Sequence, residues 1–131
     1  MYNEELTLKV KELFKKTDQI YVWKWLSSRN KILYSPCFYG TWHFNKVHTS
    51  DRNSSNRTKT EIRKKYVSHG FYVFLTRQAA LRNCYSGKIY KLVARKEDFV
   101  CGIFRTEDET VLFHKLKLLK PPYRINKTLL G

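Results

Sequence analysis

Four histidines, two tyrosines and an acidic turn are among the groups in this chain that could move a proton. The histidines are His43, His48, His69 and His114. None stands at H-x-x-x-H or H-E-x-x-H spacing, so no metal site is expected. His69 precedes Gly70 at the entrance to an apolar run, where a side chain can project into a cleft. His43 lies inside an aromatic cluster that would shift its pKa. Tyr72 follows Gly70 by two residues, and Glu109 stands ahead of Val111-Leu112-Phe113. His69 and His114 with Arg77, Arg82 and Tyr85 could set a base, an acid and a cation around one phosphate, as a metal-independent ribonuclease requires. No D-x-D or H-N-H signature accompanies them.

Two further sets of residues suit binding rather than catalysis. The first is the aromatic cluster Trp23, Trp25, Tyr34, Phe38, Tyr39, Trp42 and Phe44. In a strand, Trp23 and Trp25 point to one face. They are either core or a stacking platform for bases, flanked by Lys24, Arg29 and Lys31. Three tryptophans in 131 residues exceed what packing needs and favour some exposed role for Trp23, Trp25 or Trp42. The second set is basic. Between Lys46 and Tyr66 stand Lys46, Arg52, Arg57, Lys59, Arg63, Lys64 and Lys65, against only Asp51 and Glu61. Residues 45–61 hold Val47 as their one aliphatic side chain, so about 45–65 reads as a mobile basic loop. It is either solvated or gripping phosphate.

Composition limits what these residues can serve. The net charge is +15 at pH 7, with 26 Lys+Arg against 11 Asp+Glu. At 15% aromatic the chain is too rich in rings for a disordered tail. No apolar run approaches the roughly 20 residues of a membrane span. The length suits one domain, 1–131. Self-repulsion at this charge density is relieved by a polyanion, and nucleic acid is the commonest one. The expected partner is nucleic acid or a nucleic-acid-handling protein, without membrane. Cys37, Cys84 and Cys101 form no C-x-x-C pair, and the first residues do not read as a signal peptide. The expected compartment is therefore cytoplasmic, where the N-x-[ST] triplets at Asn53, Asn56 and Asn126 have no glycosylation meaning.

The elements that must position these groups follow from periodicity. Leu6, Val10, Leu13 and Phe14 make one apolar face of a helix over 3–16, with Asn3 as N-cap and Glu4 and Glu5 in the first turn. Residues 20–26 read as a buried strand, Ser27 to Lys31 as a turn, and Ile32 to Tyr34 as the start of a second strand. Residues 37–44 suit either strand or ordered loop. Phe71 to Leu75 reads as a strand, and Thr76 caps a short helix that turns Ala79 and Ala80 inward. Strands are expected at 88–95, 99–105 and 110–118, the last two joined by a turn at Glu107-Asp108-Glu109. The expected class is α+β: a mostly antiparallel five- or six-stranded sheet with an N-terminal helix and a short central helix.

Two resemblances add to this reading. Ser35-Pro36, Gly40, Trp42, then His69-Gly70-Phe71-Tyr72-Val73-Phe74 and Ala79-Ala80 resemble the "SP…GxW…GxHxF…A" layout of short phage and prophage proteins that have no assigned activity. Here the Gly-His order is reversed and Tyr72 takes the place of the histidine. The second half also resembles an ADP-ribosyltransferase scaffold. Gly70 to Thr76 with Ala79-Ala80 matches the segment that supports NAD in that family, and Glu107 or Glu109 matches its late glutamate. That family carries an Arg or His-Gly pair in its first strand, where this chain has Lys24. The transferase reading implies NAD as cofactor and His69, Tyr72 and Glu109 converging on one concavity; otherwise no cofactor is expected. Three functions thus stand: a nucleic-acid-binding accessory protein, phage or mobile-element encoded; an anti-defence inhibitor of a host protein; and a transferase or ribonuclease.

Overall fold

The computed structural model describes residues 2–35, 38–50, 60–62, 65–67, 70–85, 87–104 and 108–123. A two-residue strand, β1 (Tyr2–Asn3), leads into helix α1 (Glu4–Leu13). Asn3 caps it as its residue type predicts: the side-chain oxygen accepts the Leu6 N–H at 3.0 Å, and Glu4 and Glu5 lie where the helix dipole favours negative charge. Then follow β2 (Gln19–Arg29), β3 (Ile32–Ser35), β4 (Phe38–Trp42), β5 (Val47–Thr49), β6 (Thr60–Ile62), β7 (Lys65–Val67) and β8 (Phe71–Phe74). Helix α2 (Arg77–Arg82) begins at Thr76, whose hydroxyl accepts the Ala79 N–H at 3.1 Å. The chain continues through β9 (Lys88–Arg95), a single 3₁₀ turn (Lys96–Asp98), β10 (Phe99–Ile103), β11 (Thr110–Phe113) and β12 (Lys115–Leu118).

The class is α+β, with two α-helices and a large antiparallel sheet among the described residues. Ten strands share that sheet, where the sequence suggests five or six, and β6 and β7 pair separately. Part of the difference comes from strands too short to show as apolar runs, such as β1 and β5. The rest comes from a split. The expected strand 110–118 breaks at His114, whose N–H donates to the Asp98 carbonyl while its own carbonyl accepts the Ser50 N–H, both at 2.8 Å. Before the break the chain pairs with β10 and β8; after it, with β9 and β5. The order β11-β8-β2-β9-β12 therefore starts and finishes on one stretch of chain, and the sheet curls into a ring. Its weakest seam is β2 to β8, joined by the single pair Trp23–Phe74.

The expected turn at Ser27 to Lys31 is shorter than its polarity suggests. Strand β2 runs on to Arg29, which pairs with Ile32, and only Asn30 and Lys31 turn, both at positive φ (52° and 65°). That is the two-residue hairpin whose twist matches its strands. Residues 45–49, expected as the start of a loop, hold the Asn45 turn and β5.

Alternation sorts side chains between the two faces of the ring. Ile20, Val22 and Leu26 of β2 turn inward with Tyr90, Leu92 and Ala94 of β9 and with Leu116 and Leu118 of β12. Phe71, Val73, Val111 and Phe113 join them, and α1 adds Leu6 and Val10, with Phe14 at its C-cap. Gly102 lets that helix approach β10, and its N–H donates to Thr7 Oγ1 at 2.9 Å. On the outer face, Ala79 and Ala80 of α2 pack against Trp23 and Phe74.

Candidate functional site

Register places the outward side chains of four neighbouring strands on one surface. Tyr21, Val93, Lys117 and Val47 stand directly opposite one another across β2, β9, β12 and β5. Beside that row, Trp23 faces Lys91. On its other side, Gln19 faces Arg95 and Lys115 faces Thr49. Lys115 and Lys117 alternate with the buried Leu116 and Leu118, so both ammonium groups project to solvent. The outward strand positions thus present Lys91, Arg95, Lys115 and Lys117, with no carboxylate among them. Arg95 meets Glu97 at 3.6 Å, an exposed pair worth about 0–1 kcal/mol that leaves the surface basic. Lys46, exposed just ahead of β5, extends it, its carbonyl accepting the Leu118 N–H at 3.4 Å.

One cation on this surface is held by rings. The Lys91 ammonium lies 3.8 Å from the centroid of Tyr21, 5.3 Å from Trp23 and 5.8 Å from Tyr123. Each ring presents its negative face to the charge. Tyr123 is fixed by the Lys91 backbone N–H, which donates to its hydroxyl at 2.9 Å, and by an edge contact with Trp23. Burial pushes the Lys91 ammonium below its usual pKa and the Tyr123 phenol above its own.

The three tryptophans have different places. Trp42 is 4% exposed, packed on Phe71 and His48, and is a core residue with no ring face left for a base. Trp23 is 8% exposed beneath Lys91, and its Nε1 has no hydrogen-bond partner among the described residues. Trp25 is half-buried and meets Tyr85 edge-on, with ring centroids 6.2 Å apart. Packing thus accounts for two of the three rings that the sequence offered as a platform. Of the basic loop, Arg52, Arg57, Lys59, Arg63 and Lys64 lie outside the described residues, as does the mobility expected there. Lys65 of β7 pairs with Ile62 of β6.

Of the groups expected to converge on a catalytic cleft, Tyr72 and Glu109 have separate surroundings. His69 lies outside the described residues. Tyr72 is opposite Leu112 and packs with Cys101, Ile103 and Leu112, on the sheet face away from α1. Glu109 pairs with Lys9 of α1 instead. Lys24, at the position of the transferase family's first-strand residue, is buried and points inward; its Nζ donates to the Tyr72 carbonyl at 2.8 Å, beside the thin β2–β8 seam. The His43 N–H donates to His48 Nε2 at 3.0 Å, and the two imidazoles stack at 6.0 Å. His114 Nδ1 is buried with no hydrogen-bond partner among the described residues. The Cys101 thiol is pushed up to about 11 by burial and is no nucleophile at neutral pH. Among the described residues no group of three or more His, Cys, Asp or Glu could hold a metal, and no helix is long and apolar enough to cross a membrane.

The basic surface of β9 and β12 was within reach of the sequence. The alternation Lys115-Leu116-Lys117-Leu118 is a period-two signal for a strand with a charged outer face. The run at 46–65 is denser in charge, but a charge count over a window is blind to alternation. Comparison with protein-family models, curated proteins and solved structures finds no match.

Proposed function

We propose that this chain binds nucleic acid through the outer face of β2, β9, β12 and β5. The observation that carries the reading is the register that aligns Lys91, Arg95, Lys115 and Lys117 on one surface beside Tyr21 and Trp23. Four cations on a sheet match a row of phosphates, and each phosphate neutralised releases a condensed counterion. The +15 net charge adds long-range attraction. The transferase reading draws no such support, because Tyr72 and Glu109 face different neighbours.

The test is a salt titration with a random-sequence oligonucleotide. Affinity should fall steeply as salt rises. In the double variant Lys115→Gln/Lys117→Gln the logarithmic slope should drop by about 0.7–0.9 for each phosphate that the variant no longer neutralises. Both positions are exposed, so the fold should be unaffected. An affinity indifferent to salt, or an unchanged slope in the variant, would remove this face as the binding surface.

A further inference from the structure

A cleft of about 620 Å³ opens at the Gln19–Arg95 end of the basic surface, lined by Thr17, Asp18, Gln19, Arg95 and Glu97. That volume lies in the ~300–1,000 Å³ range of small-ligand sites. Every lining residue carries a hydrogen-bonding side chain, and none is aromatic. The backbone of the cleft is fixed. Thr17 Oγ1 donates to the Gln19 carbonyl at 3.0 Å and accepts the Gln19 N–H at 3.4 Å. The Lys96 N–H donates to the Asp18 carbonyl at 3.0 Å, which ties the start of β2 to the 3₁₀ turn. Gln19 stands directly opposite Arg95 in the ladder. Its carboxamide has no hydrogen-bond partner among the described residues, so a donor nitrogen and an acceptor oxygen remain for a ligand.

We propose that this cleft reads adenine in the nucleic acid held by the basic surface, with the Gln19 carboxamide as the reading group. The inference rests on the nucleic-acid reading above and names a base for it. Charge separates two roles within the cleft. Arg95 belongs to the phosphate-binding face, whereas the carboxylates of Asp18 and Glu97 repel phosphate and accept N–H donors. Base edges are where a nucleic acid offers such donors. Adenine presents its N6 amino group beside the N7 acceptor, and a carboxamide matches that pair with its oxygen and its nitrogen. The second N6 hydrogen is left for a carboxylate. Thymine and guanine place a carbonyl oxygen where adenine has its amino group, facing the carboxylates. Cytosine offers an amino donor without the N7 acceptor.

The experiment uses the full chain and twelve-nucleotide single strands, read by fluorescence anisotropy at two salt concentrations. One strand is oligothymidylate; in the others every fourth thymine is replaced by adenine, 7-deazaadenine, guanine or cytosine. The adenine strand should bind about tenfold more tightly than oligothymidylate, within the discrimination that one bidentate contact gives. The 7-deazaadenine strand, which lacks the N7 acceptor, should lose most of that gain, and it tests the contact with the protein unaltered. Guanine and cytosine strands should bind as oligothymidylate does. Gln19→Ala should bind every strand with the wild type's affinity for oligothymidylate and with the wild type's salt slope. Equal binding of all strands by the wild type, or tighter binding of guanine or cytosine than of adenine, overturns adenine reading while the basic face stands. So does an adenine gain that persists in 7-deazaadenine or in Gln19→Ala. Absence of salt-dependent binding to any strand by the wild type overturns both.

Discussion

Replacing Gly102 with alanine measures how closely α1 is held against the sheet. A Cβ at this position would lie 2.6 Å from Leu6 Cγ, 2.7 Å from Leu6 Cβ and 2.8 Å from Leu6 Cδ2. Carbon pairs rest at about 3.5–4.0 Å, so each of these approaches would be about 1 Å too short. Leu6 has no room to withdraw, being 5% exposed among the core side chains. The helix cannot slide readily either. Thr7 Oγ1 accepts the Gly102 N–H and donates to the Asn3 carbonyl at 2.7 Å, tying α1 to β10 at the same level. The expected cost is about 2–3 kcal/mol, at the upper part of the overpacking range. Urea unfolding of four proteins reads it: wild type, Gly102→Ala, Leu6→Ala and the double variant. Leu6→Ala alone should lose about 2–4 kcal/mol through the cavity it leaves. It removes Cγ and Cδ2 but keeps Cβ, so relief in the double variant is partial, with a coupling of about 1–2 kcal/mol. Additive effects, or a Gly102→Ala loss under about 0.5 kcal/mol, would refute this account of how the helix meets the sheet.

Two other perturbations follow from local geometry. Lys31 turns the β2–β3 hairpin at φ 65°, so Lys31→Gly should gain about 0.5–1 kcal/mol, seen as a higher Tm; a lower Tm would count against the hairpin geometry. Asp108 accepts bonds from Arg82 and Asn83 at the end of α2, and the Arg82 guanidinium holds its carboxyl below the usual range. A lowered native pKa contributes stability that is present above the unfolded pKa of about 3.9 and is lost as pH falls through the native value. Asp108→Asn should therefore lower Tm at pH 7, and the gap to wild type should close as the pH drops below about 4. A gap that persists in acid would assign the effect to something other than the charge.

What the sequence shows plainly is what local chemistry decides. Asn3 and Thr76 cap the helices that their side chains predict, because a cap satisfies backbone donors two or three residues away. Strand β9 occupies 88–95 as its alternation indicates. What escapes the sequence depends on distant partners. The break at His114 is made by Asp98 and Ser50, and no residue near it announces a change of neighbours. Polarity places a turn at Ser27 and Ser28, but the pairing with Tyr34 and Leu33 keeps them in a strand. Trp42 belongs to an aromatic cluster in sequence and to the core in space, because Phe71 and His48 close over it. Lys24 looks like a charge on an outward strand position. It points inward with Ile20, Val22 and Leu26, and its Nζ donates to the Tyr72 carbonyl across the single-pair β2–β8 seam.

The ring also dictates when this protein can fold as it is made. Strands β8 and β2 touch at one pair, and their other ladders belong to β11 and β9. Helix α1 finds its cover on β10, some ninety residues later in the chain. The segment from Thr110 to Leu118 completes both arcs. Until it has left the ribosome, the nascent chain holds a row of valines and aromatics with no surface to close on, and its apolar strand edges stay open to other chains. For a polypeptide this basic, ribosomal RNA is the nearest polyanion during that interval.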